Sequence, residues 1–129
     1  MRNLASTFVA LIFALVVGSC DSGVEWESCD YEVYWIDLPS ELGLGRKLPD
    51  GNAIGRVEPQ VFAVGEDKYW VVAGRYPDGD KSRPEFFYFA KADDSTYKNG
   101  EDVVLGPFTA EEFEKLKKQY SLPEWSKKF

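Results

Sequence analysis

The chain predicts a small α+β fold, an antiparallel meander sheet with one C-terminal helix packed on it. Three observations carry this expectation. Short runs of β-branched and aromatic residues recur between Gln60 and Gly106. Polar stretches containing Gly and Pro separate them, and one strong helix-start signal follows the last run. With 44% hydrophobic and 16% aromatic residues the chain is too apolar for disorder, and its 129 residues hold a single domain.

The first strand is expected within residues 31–37, where Tyr31, Val33 and Trp35 alternate with Glu32, Tyr34 and Ile36. Residues 38–57 are rich in Gly and Pro. They read as a loop with a turn at Pro49-Asp50-Gly51-Asn52 and a short edge strand near residues 53–57. Three runs form the centre: QVFAV at 60–64, KYWVVAG at 68–74 and EFFYFAK at 85–91. Gly65-Glu66-Asp67 joins the first two at hairpin length, and residues 75–84 make a longer polar loop. Residues 69–73 and 86–90 are apolar on both faces, so both faces are expected to be covered. A fourth run, DVVLG, occupies 102–106.

The helix is the best-specified element. Thr109 is the expected N-cap, with Glu112 completing a capping box and Phe108 and Phe113 at the staple positions. Glu111, Glu112 and Glu114 precede Lys115, Lys117 and Lys118, in the order the helix dipole favours. Phe113, Leu116 and Tyr120 make a stripe to face the sheet, Pro123 stops the helix, and Trp125 is placed to fold back on the domain.

Composition removes several function classes. A net charge of -7 repels phosphate backbones, so no nucleic-acid partner is expected, and it offers no electrostatic hold on anionic lipid. The chain contains no histidine, which excludes Ser-His-Asp and Cys-His nucleophile systems and any zinc site built of Cys and His. Two acidic loops carry calcium-type donors: Asp78, Asp80 and Ser82 in one, and Asp93, Asp94, Asn99, Glu101 and Asp102 in the other. Neither matches the EF-hand order, and they read as solvated turns; no metal, cofactor or catalytic residue is expected. The aromatics Tyr69, Trp70, Phe86, Phe87, Tyr88 and Phe89 read as core, while Trp26 and Trp125 lie outside the core elements as candidates for partner contact.

The N-terminus carries the sharpest signal. Arg2 precedes an apolar run at residues 4–17, which is 14 residues long against the roughly 20 that a spanning helix needs. A charged start, a short apolar middle and small residues at the close make a secretory signal peptide over 1–19. The run ends in Val17-Gly18-Ser19-Cys20, which resembles the bacterial lipobox. That resemblance implies a diacylglyceryl thioether on Cys20, cleavage just before it, and acylation of the new amino group with fatty acids such as palmitate. Two or more chains suffice for stable anchoring, where one does not. Asp21 stands where aspartate resembles the enteric signal for retention on the inner membrane; the alternative is a polar tether residue. Removal of residues 1–19 would leave 14 cations against 22 acids. Residues 20–30 are read as a lipidated tether and 31–129 as the globular domain. Lipidation leaves Cys29 without a partner, and a Cys20–Cys29 disulfide is the direct competitor.

Residues 57–122, with KYWVVAG, FFYF and the close Val104-Leu105-Gly106-Pro107-Phe108-Thr109-Ala110-Glu111-Glu112-Phe113, resemble a loose group of small bacterial lipoproteins of uncharacterised function. Some similar lipoproteins serve as immunity proteins against toxins delivered to the periplasm. The resemblance implies a periplasmic domain on the inner membrane, with the outer membrane as an alternative. The function expected is non-catalytic binding of another protein, its acidic surface steering a basic partner. Alternatives are a structural or assembly accessory of an envelope complex, or a small-ligand binder or enzyme.

Overall fold

The computed structural model describes residues 21–129. Among these, nine strands form two antiparallel sheets, and one α-helix packs on the second. The first sheet holds β1 (Ser22–Glu27), β2 (Tyr31–Ile36), β3 (Gly43–Lys47) and β4 (Ala53–Val57) in that order. The second holds β5 (Val61–Glu66), β6 (Trp70–Arg75), β7 (Glu85–Ala90), β8 (Leu105–Phe108) and β9 (Lys127–Lys128), ordered β8-β7-β6-β5-β9. Helix α1 (Ala110–Tyr120) lies against β7 and β8. The fold is the predicted α+β type, with the helix on the sheet.

The two-residue period of β6 and β7 produces the layering. Val71, Ala73 and Phe89 face the first sheet and join Tyr31, Val33, Leu44, Val57 and Val64 in a buried inter-sheet core. Trp70, Val72, Phe86 and Tyr88 face the other way and meet Phe113, Leu116 and Leu122 from the helix and its exit. The register pairs Val71 with Phe89 and Val72 with Tyr88, so each layer is built from directly opposed residues. Both faces are covered, as the apolar runs required.

The helix start follows its sequence signal. Glu112 N–H donates to Thr109 Oγ1 at 3.2 Å and Thr109 N–H donates to Glu112 Oε1 at 3.0 Å, closing the capping box. Ser121 ends the helix in the left-handed region at φ 54°. Trp125 folds back and stacks on Phe113 at 5.9 Å between centroids.

The first sheet departs from expectation. Residues 21–30, expected as a tether, form β1 and its turn into β2, because Ser22–Glu27 pairs with β2 along its length. Within the stretch read as a Gly-rich loop, β3 is a buried strand. Its glycines lack a strand pattern because a neighbour needs the space: a Cβ on Gly45 would come within 2.8 Å of the Tyr34 ring. The run at 102–106 is displaced. Gly100–Asp102 is a 3-10 turn, Val103 is buried in the inter-sheet core, and β8 begins only at Leu105. Strand β9 carries no sequence signal and is placed by Ser126 N–H donating to the Val64 carbonyl and Phe129 N–H to that of Phe62.

Candidate functional site

The helix spans β7 and β8, leaving β5 and the C-terminal tail to wall an open cleft of ≈ 640 Å³. Phe62 of β5, Tyr76 after β6, Phe86 of β7, Phe113 of α1 and Trp125 and Phe129 of the tail line it. These rings hold one another in place. Phe62 stacks on Tyr76 at 4.2 Å and meets Phe86 edge-on at 6.0 Å, and Phe86 stacks on Phe113 at 5.0 Å. Gly74 makes room for Phe62, whose ring lies 2.5 Å from where a Cβ would stand. Lys81, Lys117, Lys128 and Glu114 edge the opening, and Lys117 Nζ donates to Glu124 Oε2 at 2.8 Å. The cleft is an aromatic surface with mixed charge at its rim and a single carboxylate, Glu114, in its lining. That chemistry suits contact with an apolar or aromatic group.

A second cleft of ≈ 550 Å³ lies beside β4, lined by Tyr34, Ile36, Gly55, Glu58, Pro59 and Gly100 among others. Behind it is the most polar part of the interior. Arg56 donates from Nη2 to Asp94 Oδ1 at 2.8 Å and from Nε to the same carboxylate at 3.1 and 3.2 Å, with both side chains fully buried. Tyr31 OH donates to Asp94 Oδ2 at 2.7 Å, and Ser95 N–H donates to Oδ1 at 2.8 Å. Arg46 Nη1 lies 3.6 Å from Oδ2 and donates to Tyr31 Oη at 3.2 Å. Arg56 also donates to the carbonyls of Gly55, Ser95 and Lys98.

Burial is the largest influence on the Asp94 carboxyl and pulls its pKa up. The hydrogen bonds from Arg56 and Tyr31 and the charges of Arg56 and Arg46 outweigh it and hold the group below its ordinary value. Burial first, then the hydrogen bond and charge of Asp94, push the Tyr31 phenol well above its ordinary value. Both carboxylate oxygens accept from donors, Oδ1 from Arg56 and Ser95 and Oδ2 from Tyr31 and Arg56. The cluster fastens the loop after β7 to β2, β3 and β4. The sequence predicts a solvated turn at Asp94; one acid among several in a polar loop gives no sign that two distant arginines converge on it.

Of the residues singled out from sequence, Cys20 and the signal segment 1–19 lie outside the described residues. Asp21 is exposed, and its carbonyl accepts from Asp37 N–H at 2.8 Å. Cys29 is exposed in the β1–β2 turn, with no disulfide among the described residues. In the other acidic loop, Asp80 accepts from Ser82 and Arg83. Among the described residues no three Cys, Asp or Glu side chains gather as a metal cage. Trp26, a candidate for partner contact with the domain's own surface as the alternative, packs partly against the inter-sheet core, and Trp125 packs against the helix core while lining the cleft. Phe89 and Tyr88 are buried, and Tyr69 is exposed. Phe62 and Tyr76, which stand at the cleft, were not flagged by sequence, since each reads as an ordinary strand or loop aromatic.

Comparison with protein-family models, curated proteins and solved structures finds no match.

Proposed function

We infer that this chain is a lipid-anchored envelope domain that works by binding another protein and catalyses nothing. Immunity against a toxin delivered to the periplasm is its most concrete form. The anchor rests on Val17-Gly18-Ser19-Cys20 closing a 14-residue apolar run. The observation that carries the binding role is the aromatic cleft between α1, β5 and the tail. Partly exposed, mutually stacked Phe, Tyr and Trp side chains are the groups from which binding hot spots are made, because each buries a large area at small cost in rotamer entropy. The acidic remainder of the surface would steer a basic partner towards the domain before the cleft engages it.

The experiment has two arms. Radiolabelled palmitate is expected to enter the wild-type product and not Cys20→Ser. A partner protein is expected to co-purify stoichiometrically from detergent-solubilised membranes and to be lost with Phe62→Ala or Trp125→Ala in chains that remain folded by circular dichroism. Equal labelling of Cys20→Ser overturns the anchor. Absence of a stoichiometric partner, or a partner indifferent to both cleft substitutions, overturns the binding role.

A further inference from the structure

The domain begins where the proposed anchor ends. Strand β1 starts at Ser22, and Asp37 N–H donates to the Asp21 carbonyl at 2.8 Å, so the backbone is already tied to the domain one residue after Cys20. Consecutive Cα atoms lie about 3.8 Å apart, so an acyl anchor on residue 20 would hold the body within one residue's reach of a bilayer. Whatever surface surrounds Asp21 must meet the lipid.

That surface carries an apolar cluster bordered by carboxylates. Ser22 pairs with Ile36 and Val24 with Tyr34, so Val24, Tyr34 and Ile36 share the face of the first sheet turned away from the inter-sheet core. Val24 is 51% exposed, Ile36 62% and Leu38 57%. They are three of the most exposed large hydrophobic side chains among the described residues; Val24 and Ile36 line one shallow recess with Asp21, and Leu38 follows Ile36 across the bend at the end of β2. Asp37 holds the left-handed conformation at φ 69°, and Leu38 N–H donates to the Ile36 carbonyl at 2.9 Å, so both apolar side chains sit at a tight bend.

We propose that Val24, Ile36 and Leu38 form a membrane-contact surface that seats this domain on the bilayer at the headgroup–acyl boundary, fixing its orientation around the lipidated Cys20. The inference rests on the anchor reading and deepens it: the lipid supplies attachment, and the patch supplies a fixed pose. Asp21, Asp37 and Glu41 stand beside the patch, so its grip is apolar and suits zwitterionic headgroups. The β5–β6 turn at Tyr69 points the other way along the strands. Glu66 accepts from Ser28 in the β1–β2 turn, about 20 Å of strand from Ile36.

The test uses the full chain in a Cys29→Ser background, carrying an environment-sensitive fluorophore on Leu38→Cys or on Tyr69→Cys. Both chains are purified from membranes and reconstituted in phosphatidylcholine–phosphatidylethanolamine vesicles. Lipids brominated on upper acyl-chain carbons are expected to remove most of the emission from position 38 and almost none from position 69. Labelled palmitate is followed in the same preparations. Palmitate in the product with position 38 left unquenched, or both positions quenched alike, overturns the seating surface while leaving the anchor intact. No palmitate in the product overturns the anchor and the inference with it.

Discussion

The two faces of the second sheet are covered by different means, and the difference locates the cleft. One face lies under another sheet, of four strands, and the space between is filled by Tyr31, Val33, Leu44, Val64, Val71 and Phe89 with almost no exposure. The other lies under one helix. A helix is about 10 Å across, whereas five strands at about 4.8 Å spacing span about 20 Å, so half of that face needs some other cover. Aromatic side chains and the returning tail supply it incompletely. A dry core and an open aromatic cleft thus arise on opposite sides of the same strands, from residues one position apart.

Substitutions on the two faces sharpen the contrast, beginning with the deepest. Phe89→Ala empties a site where the ring meets Tyr31 edge-on at 5.5 Å, and is expected to cost about 3–5 kcal/mol in urea unfolding. Phe62→Ala, in the half-exposed cleft, is expected to cost about 1–2 kcal/mol, because part of its ring is already in water. Equal losses would erase the distinction between the faces.

Asp94→Ala tests the polar clamp at the edge of the dry core. It strands the buried Arg56 guanidinium without a counter-ion and is expected to cost about 3–5 kcal/mol. Asp94→Asn isolates the charge. The folded pKa of Asp94 lies below its unfolded value, so its contribution is whole above about pH 4 and is lost as pH falls through the lower folded value. Urea titrations at stepped pH should show an acid-side loss in the wild type that is smaller in Asp94→Asn.

Gly74→Ala probes the cleft wall without removing a ring. The new methyl displaces Phe62 from its stack on Tyr76, with an expected loss of about 1–3 kcal/mol and an altered near-ultraviolet circular dichroism. Thr109→Ala removes one half of the capping box and is expected to cost about 1 kcal/mol, with the inter-sheet core unaffected.

The amino-acid order was legible wherever a pattern is local. The capping box at Thr109 and Glu112 and the two-faced runs of β6 and β7 are each specified within a few residues and are present as read. The β5–β6 hairpin turns two residues later than expected: Gly65 and Glu66 pair with Val72 and Val71 in the ladder, and residues 67–69 make the turn. Strand β3 was not legible, because its glycines answer to the Tyr34 ring on a neighbouring strand. Nor was β1, whose polar sequence becomes a strand by pairing with β2. Among candidate site residues, Trp125 was legible as a side chain placed to fold back on the domain, while Phe62 and Tyr76 acquire their place only where β5, the loop after β6 and the tail converge.

By itself, then, the order of residues determined the α+β class, the helix and its cap, the central strands, and the pattern at Cys20 on which the anchor is proposed. Tertiary structure alone decided that a second sheet closes one face, that Arg46, Arg56 and Asp94 meet, and that Val24, Ile36 and Leu38 gather beside Asp21. The reason is range: hydrogen-bond caps and side-chain periodicity act over a few residues, whereas burial and charge pairing join groups that only a folded chain brings together.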